Sequence, residues 1–243
     1  MATTIRSIGT TTRSRQSYAG WLISGGALAL GLGLVWLAVP RTFAAWAALT
    51  AFPASSDVSW GRTPSAQSLD AGIERLQRAI RWSSSAGYLA DLGALELAKA
   101  LGARSEPSEQ DRAALASETH LTEALKLNPA DGLVWLRLAM ARDLLHRPPR
   151  EVVSCLVQSI DMAPNYRALW LVRTRMLLSY WTNLTIEEGL TLRRQSETIW
   201  KAEPALRDPL VAAARDLNRL ALLQWLIGPD EGTQSEFRKA TKR

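Results

Sequence analysis

The chain has 243 residues, 47% of them hydrophobic and 21% charged, which excludes a disordered polymer and leaves room for one or two folded domains. Basic side chains outnumber acidic ones 29 to 23, a formal charge of +6, but the arginines are interleaved with acids and read as solvated helix faces rather than as a polyanion site. A single cysteine, Cys155, excludes an intramolecular disulfide and leaves the redox compartment open.

The N-terminal tail, residues 1–16, holds Arg6, Arg13 and Arg15 and no acid. From Ser17 to Pro40 there is no charged side chain, and about 20 apolar residues suffice for a helix to cross the roughly 30 Å of a bilayer core. A single transmembrane helix over 17–40 is therefore expected, with Tyr18, Trp21 and Trp36 placed where aromatic rings prefer the two interfaces. A cleaved signal peptide and an organellar transit peptide compete, but a signal's apolar region is shorter, about 7–15 residues, and here the apolar span follows the tail at once. Only Arg41 follows the span closely, so the charge bias keeps the tail cytoplasmic and exports the rest, to a periplasm in a bacterium. Gly25, Ala29 and Gly33 fall on one face at four-residue spacing, which suits close helix–helix packing and transmembrane self-association.

Residues 41–65 are expected as a linker: RTFAAWAALTAF as a short helix along the membrane surface, then a loop marked by Pro53, Gly61 and Pro64. Thr63 is placed to cap the next helix, with Pro64 in its first turn. Leu69, Ile73, Leu76 and Ile80 recur at helical spacing, and Tyr88, Leu92, Leu95 and Ala98 repeat the pattern up to Gly102. Further helices are expected at about 110–127, 131–145, 149–162, 166–182, 185–201 and 207–227, and a flexible charged tail at 228–243. The fold class is all-α.

Two stretches echo one another. Pro129 and Pro164 are 35 residues apart, and so are Trp135 and Trp170. A helical hairpin cannot enclose its own apolar face, so stacked copies repeat their hydrophobic pattern at a fixed interval. Trp135, Leu138 and Ala139, with Pro164 at the closing turn, resemble the tetratricopeptide repeat, a unit of about 34 residues with Trp and Leu in its first helix and Pro at its turn. Ala124 and Pro129 fit the end of the preceding unit, Trp170 and Pro204 bound the next, and Leu89, Leu92 and Gly93 fit an earlier one. Arg142 and Leu177 replace the family's first-helix Tyr, and the repeat lengths vary. A plain helical bundle is the competing architecture.

The resemblance implies an α-solenoid over 66–227 whose first helices line a concave groove for another protein's segment. By register, that groove takes Leu136, Met140 and Asp143 from one unit and Leu171, Arg175 and Leu178 from the next. The core competes for the four apolar ones. No motif for catalysis or phosphate binding is present: His120 and His146 are the only histidines, and adjacent Glu187 and Glu188 point apart on a helix. No cofactor or metal is expected, and Cys155 reads as a small core residue. Most of the ten tryptophans read as packing, with aromatic platforms for a sugar or peptide as the alternative. The expectation is a non-enzymatic, membrane-anchored scaffold whose partners are other proteins and the bilayer, within an envelope assembly that makes or exports polysaccharide. Two classes compete with it: an enzyme acting on an envelope glycan through an unrecognised site, and a basic nucleic-acid binder with steep salt dependence. Export argues against the latter, so no nucleic-acid partner is expected.

Overall fold

The computed structural model describes residues 15–59, 62, 64–103 and 106–242, with side chains from residue 26 onward apart from Ser59. The described residues form twelve α-helices and no strand. The first, α1 (Arg15–Leu49), carries the apolar run. Within it Gly26–Leu49 has a mean hydropathy of 1.6 and lies almost wholly outside the packed body, long and apolar enough to cross a membrane.

Pro40 does not end this helix, as the expected boundary at 40 required. A proline removes one backbone donor and crowds the turn before it, yet α1 continues to Leu49, and the Thr42 hydroxyl donates to the Ala38 carbonyl at 2.9 Å beside the proline. The expected surface-lying helix over RTFAAWAALTAF is thus the end of α1, and the rest of the linker contains a second helix, α2 (Phe52–Ser59).

What stops α1 from swinging freely is α3 (Ala66–Trp82). Ser65 caps α3 by accepting the Ser68 N–H at 3.2 Å, so Pro64 precedes the cap instead of opening the helix, and Thr63 lies outside the described residues. Arg75 Nη1 donates to the Thr50 carbonyl at 2.6 Å, and Phe43 stacks on Trp82 with ring centroids 5.3 Å apart. Ala44, Ala51 and Ala54 are buried. Glycine at 72 is what lets α2 approach: a Cβ there would come within 3.2 Å of the Ala54 methyl and 2.8 Å of Leu95. These contacts run in opposite order along the two segments, so α3 returns antiparallel to the end of α1.

The same logic continues through α4 (Ala86–Gly102) and α5 (Pro107–Leu127), the most extensively packed pair. Gly93 faces Leu121 so closely that a Cβ would lie 2.6 Å from it, while Ala100 packs on Ala113 and Ala114, again in antiparallel order. Small residues at the crossing set the short separation that buries Leu89, Leu121 and Leu125. Next come α6 (Gly132–Leu144), α7 (Pro149–Met162), α8 (Arg167–Ser179) and α9 (Ile186–Ala202). Their bounds lie within three residues of the sequence expectation. Cross-contacts from Arg142 to Cys155 and from Gly132 to Ser159 set α6 against α7, and those from Thr174 to Gln195 and from Arg167 to Glu203 set α8 against α9.

The two echoing stretches adopt the same local structure. Trp135 Nε1 donates to the Pro129 carbonyl at 2.8 Å, and Trp170 Nε1 donates to the Pro164 carbonyl at 2.8 Å. Each indole thereby ties the start of its helix to the turn before it, which gives both tryptophans and both prolines a reason to recur together.

Two expectations fail at the C-terminal end. The single helix expected over 207–227 is α10 (Arg207–Asp216) and α11 (Leu220–Leu226). Between them Asn218 has φ of 55°, the Asn218 N–H donates to the Arg215 carbonyl and the Arg219 N–H to the Ala214 carbonyl, a left-handed helix stop that Asn tolerates. The tail expected to be flexible forms α12 (Glu231–Thr241), capped by Asp230, with Phe237 buried against Trp200 at 5.9 Å between centroids.

Arg173 on α8 is fully buried, without a carboxylate partner among the described residues. Its Nη1 donates to the Ala163 carbonyl at 2.8 Å, its Nη2 to the Ser159 carbonyl at 2.6 Å and its Nε to the Ser159 hydroxyl at 2.9 Å. That hydroxyl in turn donates to the Gly132 carbonyl. The guanidinium therefore closes the C-terminal end of α7, where partial negative charge collects. Burial pulls its pKa down to about 10, well above neutrality, so it stays charged. Replacing it by Met, R173M, removes three hydrogen bonds from a charged donor, leaving the Ser159 and Ala163 carbonyls only their backbone donors, and is expected to cost about 3 kcal/mol. Urea unfolding followed by circular dichroism would show this as a lower midpoint with an unchanged slope.

Candidate functional site

An apolar groove of about 450 Å³ runs along one side of the helical body. Its walls come from alternate helices: Leu97 and Leu101 of α4, Leu133, Leu136 and Met140 of α6, and Leu169 and Val172 of α8. These three helices touch one another in turn, whereas α5 and α7 stand behind them. Helical periodicity explains the wall. Residues three and four apart share a face, and Leu133, Leu136 and Met140 keep that spacing. Val58 of α2, with Arg62 and Pro64 between α2 and α3, completes the lining.

Of the six groove residues expected from the sequence, Leu136 and Met140 line this surface. Leu178 does not: it is fully buried and belongs to the core. Leu171 is half-buried and packs on the core cluster instead of the groove. Asp143 accepts a hydrogen bond from the Tyr180 hydroxyl, and Arg175 lies 4.0 Å from Asp216, so both charges face neighbours outside the groove. The shift has a geometric cause: α8 turns Leu169 and Val172 to the groove rather than the positions exactly one 35-residue period beyond Leu136 and Met140. In the apolar helix, Ala29 is exposed and the space beside Gly33 is empty, while the side-chain position of Gly25 lies outside the described residues.

Sequence reasoning missed Arg137 on the groove floor. It is 9% exposed and forms no hydrogen bond or close ion pair among the described residues. Burial lowers its pKa, opposed by the charges of Asp91, Asp131 and Tyr166; burial likewise raises Asp91, opposed by Arg137. One charged residue within the run LVWLRLAMA gave no signal of this, since an Arg there reads as the solvated face of an amphipathic helix.

The remaining chemistry is structural. His146 has φ of 50°, and the Arg147 N–H donates to the Arg142 carbonyl, so His146 is the left-handed residue that ends α6. Cys155 is buried, with its thiol pushed up by desolvation, which disfavours the thiolate that nucleophilic chemistry requires. Glu188 closes a capping box with Thr185 and pairs with Arg150 at 2.8 Å. Among the described residues, no three His, Cys, Asp or Glu side chains gather to hold a metal ion. The tryptophans divide by place. Trp170 and Trp200 are core, while Trp225 is exposed, 6.1 Å from Trp181 in an edge-on pair and beneath the Arg193 guanidinium at 5.2 Å.

No family model matches the chain, and neither a curated protein nor a solved structure matches it.

The wall of α4 rests on α5 through two titratable pairs, Lys99 with Glu109 at 3.4 Å and the more buried His120 with Glu96. Glu96, 5% exposed, accepts from His120 Nδ1 at 2.7 Å. The hydrogen bond to Glu96 raises the His120 pKa above 6.5 despite the opposing effect of burial. A folded pKa above the unfolded one means that the pair stabilises fully below about pH 6.5 and loses that contribution as pH rises through the raised folded value. His120→Gln should therefore cost about 1.5 kcal/mol at pH 5.5 and progressively less above neutrality. Thermal melts of both proteins across this range would test it; a gap that widens toward alkaline pH would contradict the assignment.

Proposed function

We propose that this chain is a non-enzymatic, membrane-anchored adaptor whose tetratricopeptide-like helical solenoid holds an apolar segment of a partner protein in the groove lined by α4, α6 and α8. The observation that carries the reading is the groove's construction from alternate helices, each contributing residues from one face. A mostly apolar trough walled by successive helices fits an extended or helical peptide better than a small substrate, which needs convergent polar groups. Supporting the repeat reading are the antiparallel order of contacts within α4–α5, α6–α7 and α8–α9 and the matching indole-to-carbonyl bonds at Trp135 and Trp170. The single apolar helix and the arginines that precede it support a cytoplasmic tail and an exported, periplasmic domain. The placement within a polysaccharide-handling envelope assembly stays a proposal drawn from the anchor-plus-repeat organisation alone.

A photo-crosslinking residue at Met140 or Val172, introduced into the full chain in its native membranes, is expected to give one discrete adduct. The same residue at exposed Leu115 on α5 should give none. Met140→Glu should reduce the Val172 adduct at least tenfold, a change of about 1.4 kcal/mol in affinity, with the helical circular dichroism preserved. Equal adducts from Leu115 and Met140 would defeat the groove assignment.

A further inference from the structure

The end of α1 and the turn between α3 and α4 form a surface whose chemistry points to one partner. Trp46 is 69% exposed, Phe43 47% and Trp82 55%, and the last two stack on one another. Such large apolar rings, bared side by side, are unusual on a surface that faces water alone. Arg41 and Arg81 flank them, both exposed and without a hydrogen bond or ion pair from their side chains among the described residues. The turn itself, Ser83-Ser84-Ser85, is small and polar.

Depth decides what this surface meets. Because α1 is continuous through Pro40, a span that leaves the hydrocarbon core there carries Phe43 about 4.5 Å and Trp46 about 9 Å beyond it at 1.5 Å per residue. The headgroup layer on each side of a bilayer is about 5–8 Å thick. Since α3 runs antiparallel to α1, with Arg75 at Thr50 and Trp82 at Phe43, the C-terminal end of α3 points back toward the membrane. Trp82, Arg81 and the serine turn therefore arrive at the same depth as Phe43. Tryptophan favours that layer, and arginine there reaches lipid phosphates.

We infer that the Arg81–Ser85 turn, with the Phe43–Trp82 stack, is seated in the phospholipid headgroup layer and Trp46 at its outer edge, so that the helical body stands on the bilayer in one attitude instead of swinging on a tether. The occupant of the surface is the lipid itself. Continuity of the ledge with the apolar span argues for it over a second protein, as do the pairing of exposed aromatics with partnerless arginines and the match in depth. The inference rests on the membrane-spanning reading of α1.

The test uses the full chain in phosphatidylcholine–phosphatidylglycerol vesicles, with an environment-sensitive fluorophore on single engineered cysteines. Cys155 is buried and serves as the unlabelled background. Ser84→Cys reports the turn without removing Trp82, Val35→Cys reports the span, and Leu115→Cys reports the body. Lipids carrying a nitroxide at the headgroup are expected to quench the Ser84 label at least twofold more than the Leu115 label. Lipids with the nitroxide deep in the chain should quench the Val35 label. Adding Trp82→Ala to Ser84→Cys should lower the headgroup quenching toward the Leu115 level. If the Ser84 label behaves like the Leu115 label while the Val35 label is quenched, the span holds and the seated turn is wrong. If the Val35 label is not quenched by lipid, the membrane-spanning reading fails first and the seated turn with it.

Discussion

The last carbonyls of a helix need donors from beyond it, and α7 turns one side of its last turn inward. That side, at Ser159 and Ile160, is buried, and water cannot supply donors there. Arg173 does so instead, with three bonds from one guanidinium, and the Ser159 hydroxyl passes the connection on to Gly132 at the start of α6. Three helices are thereby fixed at a single point. Gly132 belongs to the same solution, because a Cβ there would lie 2.6 Å from the Ala163 methyl and 2.9 Å from the Ser159 carbonyl. The register of α6 and α8, and so the line of the groove wall, depends on that junction. Using an arginine rather than another hairpin's side-chain hydroxyl also explains why the echo between the two stretches is incomplete: the residue 35 positions before Arg173 is Leu138, a core residue.

The helices from α4 to α9 were legible because their signals are local. Glycine, asparagine and proline stand at the stops, and leucines recur at three and four residues. The misses fall where a distant contact outweighs a local signal. Pro40 normally marks an end, but α3 grips the last turns of α1 and holds them helical. The charged stretch after Gly228 looks soluble all round, yet Phe237 enters the core cluster beside Trp200, and Arg207 pairs with Glu236 at 2.7 Å to hold the same helix. Asn218 was readable as a stop in principle, since Asn tolerates the left-handed conformation, but it sits within an unbroken apolar periodicity that conceals it.

The groove was legible as to which helix face it used and not as to its exact members. A fixed 35-residue shift assumes that α6 and α8 present the same face at the same angle. Their neighbours differ, since α8 packs on α10 as well as on α7 and α9. Leu178 is fully buried, and the wall falls to buried Leu169 and exposed Val172. The two echoing stretches are not equivalent where α8 meets α10, because α8 has a neighbour there that α6 lacks.

The groove and the apolar helix are connected through α2. Val58 of α2 lines the groove, as do Arg62 and Pro64 from the segment that follows it. Arg62 is held there by Asp57, with Nη2 at 2.6 Å and the Arg62 N–H on the Asp57 carbonyl at 2.8 Å. On the other side α2 follows α1 after a single turn, and Ala54 is pinned under Gly72. A displacement of Val58 therefore pulls on α2 and, through α2, on the junction of α1 with α3. Among the described residues α2 joins the apolar helix to the surface that lines the groove, so the direction in which the groove opens is tied to the direction in which α1 runs.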